Sequence, residues 1–214
     1  MALNKDAVRR TLRYRWAVFG ILAFAYFFVY FHRVSPAVVS NFLQISLGVG
    51  AASIAVLSSI YFYAYTVMQL PSGLLADKWG PRRTVSAFTL LAATGAFLTG
   101  VATNFELVML GRLLIGIGVA AVYIPIMKIL ATWYRKNEFA SLSGILLAVG
   151  NLGGLSAAGP LVLMSEAFGW QQVFIILGII TTIIAAAAWI ITRDRPSELS
   201  LPTIQEIEDE ESGR

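Results

Sequence analysis

Arg33, Arg112 and Lys128 stand inside long apolar runs, and no acidic residue does. A cation in a bilayer interior costs about 2.5–3.5 kcal/mol on insertion scales, so it persists where it faces water, backbone carbonyls or an anion. The three residues are therefore candidates for binding a negatively charged solute. An arginine fork grips a carboxylate or phosphate through two parallel hydrogen bonds, whereas a lysine acts as a point charge. Arg33 is the expected primary contact, with Arg112 and Lys128 supplying a supporting field.

Each cation also has a plainer reading. Arg33 would snorkel to the headgroups if Phe31 ended its helix. The stretch Trp16–Phe31 gives only about 24 Å of helix, short of the roughly 30 Å needed. Apolar character resumes at Val34, Ala37, Val38 and Val39, so the helix is expected to run past Arg33. Pro36 would kink it and free carbonyls nearby. Arg112 would alternatively bond carbonyls of neighbouring helices, and Lys128 would snorkel to the near interface. His32 points about 100° away from Arg33 on a helix and reads as a packed residue. Tyr61, Tyr65 and Gln69 follow i, i+4, i+8 spacing and share a face, either a cavity lining or a packing stripe. Asn151 lies within Gly150-x-x-x-Gly154-x-x-x-Ala158, a small-residue stripe that allows close helix approach.

These residues need long helices to hold them, and composition supplies the helices. The 214 residues are 57% hydrophobic and 13% charged, against roughly 25% charge in soluble domains. Mean hydropathy is +0.73. A soluble globule and a disordered chain are excluded on this balance. With one histidine and no cysteine, no metal site, cofactor or enzymatic centre is expected. The net charge of +4 does not imply nucleic acid, because the basic residues border apolar spans and set topology.

Six spans are expected, near Trp16–Val39, Ala51–Leu75, Thr84–Ala102, Leu107–Ala131, Ala140–Met164 and Val173–Ile191. All but three of the 16 Lys and Arg residues fall at the N-terminus, in the second and fourth loops, or in the tail. The positive-inside rule then places both termini in the cytoplasm. Trp16, Trp79, Trp133, Trp170 and Trp189 fit interfacial belts at span ends. Residues 1–15 read as a basic cytoplasmic N-terminus, 16–191 as the bundle and 192–214 as an acidic, solvated tail or linker.

The second cytoplasmic loop reads Gly73-Leu74-Leu75-Ala76-Asp77-Lys78-Trp79-Gly80-Pro81-Arg82-Arg83. It resembles the signature loop of the major facilitator superfamily. Arg112-x-x-x-Gly116-x-Gly118 resembles the helix-4 arginine motif of that family, and Arg193-Asp194-Arg195-Pro196 its exit from helix 6. The resemblance implies an all-α membrane protein: six transmembrane helices forming one half of the family's fold, built as two inverted three-helix repeats. Tyr30-Phe31-His32-Arg33 is similar to the helix-1 motif of the organophosphate and organic-anion branch, where the arginine binds the substrate. Tyr123, Pro125 and Lys128 match that branch's helix 4, and Asn151-Leu152-Gly153-Gly154 its helix 5. The branch histidine is Gly150 here. An aspartate that precedes the helix-1 arginine is His32, and the helix-4 acid is Val119. The usual carboxylates for proton coupling are thus absent from this stretch.

The expected function is one half of an alternating-access transporter for a small organic or inorganic anion. It would pair with a second half, either another copy or a different chain, within the lipid bilayer. Asp77 and Arg83 would stabilise the closed cytoplasmic side, with Gly73, Gly80 and Arg82 completing the gating loop and Gly80 at a tight turn. The alternatives are a non-transporting regulatory or assembly subunit and a proton-coupled exporter of hydrophobic compounds.

Overall fold

A computed structural model describes residues 4–212. Helix α1 (Lys5–Val38) is capped by Asn4, whose side chain accepts the Asp6 N–H. A short α2 (Ser40–Leu47) follows and ends on Gly48. Then come α3 (Ala51–Lys78), α4 (Pro81–Gly100), α5 (Phe105–Ala120), α6 (Tyr123–Trp133), α7 (Lys136–Phe168) and α8 (Trp170–Ile191). A 3₁₀ turn (Pro196–Leu199) and α9 (Ile204–Glu211) close the described chain.

Among the described residues, five helical segments are long and apolar enough to cross a membrane, with α5 and α6 counting as one. The sixth, α4, is less apolar because it carries Arg82, Arg83 and five threonine or serine positions along its length. It is packed between α5 and α8, and glycines allow the approach. A Cβ on Gly95 would lie 2.6 Å from the Gly111 carbonyl oxygen, and one on Gly118 would lie 2.5 Å from the Ala92 nitrogen. Small residues replace hydrophobic drive here, since lipid tails are as apolar as the helices.

Three expectations change. The span expected over Leu107–Ala131 is two helices, with a break at Ala121–Val122. Pro125 explains it: proline has no N–H to give the carbonyl of residue 121 and its ring crowds that carbonyl. The Gly150–Ala158 stripe finds a partner within the chain, α1. A Cβ on Gly150 would lie 2.8 Å from the Tyr26 ring, and a side chain on Gly153 would overlap the Phe27 carbonyl. Trp133 and Trp170 are buried rather than interfacial, donating to the Arg193 carbonyl and the Ser46 hydroxyl. Trp16, Trp79 and Trp189 remain exposed.

Both chain ends meet at one end of the bundle. The helix starts at Lys5, so the segment read as a separate N-terminus is the first part of α1. Arg15 forks onto Glu138 at 2.9 and 3.0 Å and fastens α1 to the start of α7. The tail read as solvated is docked: Leu201, Ile204 and Ile207 are buried, and Arg135 pairs with Glu211 at 2.8 Å. Thr203 and Glu206 cap α9 reciprocally. The acidic run is one face of an amphipathic helix, a pattern that its charge count conceals.

Candidate functional site

Proline 36 organises the interior. Lacking an N–H, it leaves the His32 carbonyl without its helical donor. Arg112, on α5, fills the position: its Nη1 donates to the His32 oxygen at 2.9 Å, and the Ser35 hydroxyl donates to the same oxygen at 3.0 Å. Arg112 is 1% exposed and its guanidinium lies 4.7 Å from the Tyr61 ring centre. The geometry matches the plainer reading of Arg112, a cation held by carbonyls, and seals it away from any open cavity.

Arg33 is different. It is half-buried, and its guanidinium sits among aromatic rings, 4.8 Å from Tyr30, 5.2 Å from Tyr65 and 5.9 Å from Phe62. Such contacts hold a cation without neutralising it. No carboxylate touches it among the described residues. Tyr61 stacks parallel to Tyr65 at 6.2 Å and is fully buried, its hydroxyl facing the Arg33 guanidinium. Tyr26 joins the cluster, 5.3 Å from Tyr30 and 5.4 Å from Tyr123. The result is one positive fork set against Tyr30, Tyr65, Phe62 and Tyr61, with Tyr26 and Tyr123 extending the aromatic cluster behind Tyr30. This arrangement suits an anion at the guanidinium, because no carboxylate among the described residues competes for it.

The structure brings Tyr30, Tyr61 and Tyr65 to Arg33 and places Tyr123 one ring further out. Gln69 is half-buried on the same helix, with no side-chain hydrogen bond among the described residues. Two expected contacts lie elsewhere. Lys128 donates to the Gly73 carbonyl at 3.2 Å and forms an ion pair with Asp77, so its charge is cancelled by the loop motif rather than offered to a solute. Asn151 is exposed on α7, away from Arg33, and its side chain donates to the Leu147 carbonyl at 2.8 Å. Phe62 and Tyr26 were not anticipated. Tyr26 precedes Tyr30 by one helical turn, a spacing that places the two on one face.

The loop motif has its own local logic. Gly80 adopts φ +88°, a region costly for residues with a Cβ, and a Cβ there would overlap the Asp194 carboxylate. Asp194 accepts the Arg82 N–H at 2.6 Å; Arg82 Nε donates to the Trp189 carbonyl at 2.8 Å and its guanidinium covers the Trp189 ring at 4.5 Å. Arg83 is exposed and Gly73 has open space around it. Gly80→Ala is expected to cost about 1 kcal/mol for the dihedral and more for the overlap. Thermal unfolding in detergent checks this, with Asp194→Ala in the same chain restoring only the steric part.

Burial raises the Asp194 carboxyl above its ordinary 3.8, against the lowering effect of the Arg82 amide. A carboxyl whose folded pKa is raised stabilises most when protonated, and that advantage fades as pH climbs from 3.8 through the raised value. Asp194→Asn keeps an acceptor for Arg82. It is expected to remove this decline, so the difference between mutant and wild-type unfolding temperatures should grow in the mutant's favour as pH rises to neutrality.

The fold and the cluster together define a helical membrane bundle with an interior cation, and comparison with known proteins supplies the family. Residues 19–209 match the model of the Major Facilitator Superfamily, and the chain belongs to that family. It is 24% identical over 202 residues to a probable sulfoacetate transporter of Cupriavidus necator, covering 94% of this chain and 47% of that protein. It is 28% identical over 175 residues to a probable L-galactonate transporter of Escherichia coli, covering 82% and 39%. The crystal structure of a bacterial homologue of the human lysosomal transporter Spinster, inward-facing and unoccupied, superposes with a TM-score of 0.78 at 22% identity over 86% of this chain and 44% of that one. The chain thus spans less than half the length of these relatives and corresponds to a six-helix half of the fold.

Proposed function

We propose that the chain is one half of an alternating-access transporter for a small organic anion, with Arg33 as the anion contact. The observation that carries this reading is a half-buried guanidinium surrounded by aromatic rings, with no carboxylate partner among the described residues. The names of the relatives support the substrate class, since sulfoacetate, L-galactonate and hexuronates are all small acids. Tyr30, Tyr61, Tyr65 and Tyr123 would surround the solute, while the Lys128–Asp77 pair and the Gly80–Arg82 turn act at the end of the pathway as its gate.

The pathway needs a second half, supplied by another copy or by another six-helix unit. The outward apolar faces of α3 and α7, carrying Val67, Leu70, Leu74, Leu152 and Leu155, favour this pairing. Both termini would face the cytoplasm, as the loop charges suggest. The chain reconstituted in liposomes should take up labelled sulfoacetate, galactonate or glucuronate, and Arg33→Gln should abolish uptake. Uptake that survives Arg33→Gln would overturn the anion contact. A stable, active single copy would overturn the pairing. Labelling of a cysteine at position 78 from outside intact cells would overturn the orientation.

A further inference from the structure

His32 turns away from the Arg33 cluster into the contact of α1, α4 and α8. Its imidazole is 1% exposed. Nε2 lies 2.9 Å from the Thr181 hydroxyl oxygen. That hydroxyl already donates its single proton to the Leu177 carbonyl at 2.7 Å. The Thr181 oxygen is therefore an acceptor, and His32 must donate through Nε2–H. A second cation here would lie beside Arg112, which bonds the carbonyl of the same residue. No carboxylate faces this space among the residues that line it. The ring is thus neutral, and its Nδ1 carries a free lone pair.

Among the described residues Nδ1 has no partner, and neither has the hydroxyl of Thr89, which is 5% exposed on α4. His32, Thr89 and Thr181 line one small cavity together with Phe28, Ala92 and Val119. Its size is that of a single water, and it offers one hydroxyl donor and one imidazole acceptor in otherwise apolar walls. A water there accepts from Thr89 and donates to Nδ1. Both buried groups are then satisfied, as buried polar groups in proteins generally are.

We propose that this cavity is a binding site for one internal water molecule that bridges the Thr89 hydroxyl to His32 Nδ1. The bridge ties α1 to α4, while the direct bond to Thr181 ties α1 to α8. Together they fix the rotation of α1 one residue from Arg33. The inference is independent of any transported solute.

The chain has a single histidine, so ¹⁵N-histidine labelling gives one imidazole to follow in lipid nanodiscs. The neutral Nε2–H tautomer is expected at pH 7, with magnetisation passing from water protons to the ring. Thr89→Val should reduce that transfer to background, and Thr89→Ser should retain it. Thr181→Val should shift the proton toward Nδ1, because it removes the acceptor at Nε2. An Nδ1–H or cationic ring in the wild type, no water transfer in the wild type, or transfer undiminished in Thr89→Val would each overturn the proposal. If Thr89→Val does not fold, the wild-type tautomer and water transfer, with Thr89→Ser alongside, still decide it.

Discussion

Arg33→Lys is expected to reduce transport efficiency by about 10- to 100-fold, although the charge is kept. A hydrogen bond to a charged group is worth about 1.5–3 kcal/mol, and lysine cannot present two parallel donors to one carboxylate. The substitution also changes the cation–ring contacts to Tyr30 and Tyr65, at 4.8 and 5.2 Å. An ammonium is compact and strongly hydrated, so it fills the aromatic frame poorly. Initial uptake rates over a range of solute concentration read the loss. An Arg33→Lys protein indistinguishable from wild type would show that Arg33 acts only through its charge and is not a geometric ligand.

The second large effect concerns folding. Gly95→Ala is expected to lower the unfolding temperature by several degrees. A Cβ at Gly95 would meet the Gly111 oxygen at 2.6 Å and the Ile115 nitrogen at 2.8 Å. Both are backbone atoms of α5, so no side chain can swing aside and the two helices must separate. Overpacking of this kind typically costs 1–3 kcal/mol, or more. Gly144→Ala provides the control. Nothing lies within 4 Å of a Cβ built there, and alanine is the better helix former by about 1 kcal/mol. Thermal unfolding of the two variants in one detergent should move in opposite directions. Equal shifts would show that glycine removal, not the α4–α5 approach, sets the cost.

Much of this architecture is written locally. Apolar runs bounded by charge located most helix ends within a few residues, though α1 begins eleven residues before the expected Trp16, and the glycine of the Gly80 turn declared its own dihedral need. Arg33 with Tyr30 was legible because both sit on one helix one turn apart. The partners of Arg112 and Lys128 were not. The Arg112 acceptor exists because Pro36, about eighty positions earlier, frees a carbonyl, and only packing brings the two together. Lys128 meets Asp77 across two helices. The sequence contains both charges, but nothing local states that they cancel. Asn151 followed a motif, and its direction depended on which side of α7 faces α1. The tail was misjudged for a simpler reason: its few apolar residues, Ile204 and Ile207, are spaced for a helix face, yet the surrounding glutamates dominate any average.

The bond between Arg112 and a carbonyl has an electrical consequence. A carbonyl is a dipole and carries no net charge, so the guanidinium is solvated by the protein yet not neutralised. Its proton is not lost at any physiological pH. Together with Arg33, it makes the interior a fixed-charge medium of the kind found in an ion-exchange resin. At an effective dielectric constant of about 20, one unit charge about 10 Å away attracts a monoanion by roughly 1.7 kcal/mol, or more than tenfold in partition. A monocation is excluded to the same degree. On the proposed function, the interior would then be permselective before any solute reached a specific contact. Sign discrimination would belong to the bundle as a whole, and the fork at Arg33 would have only to distinguish among anions.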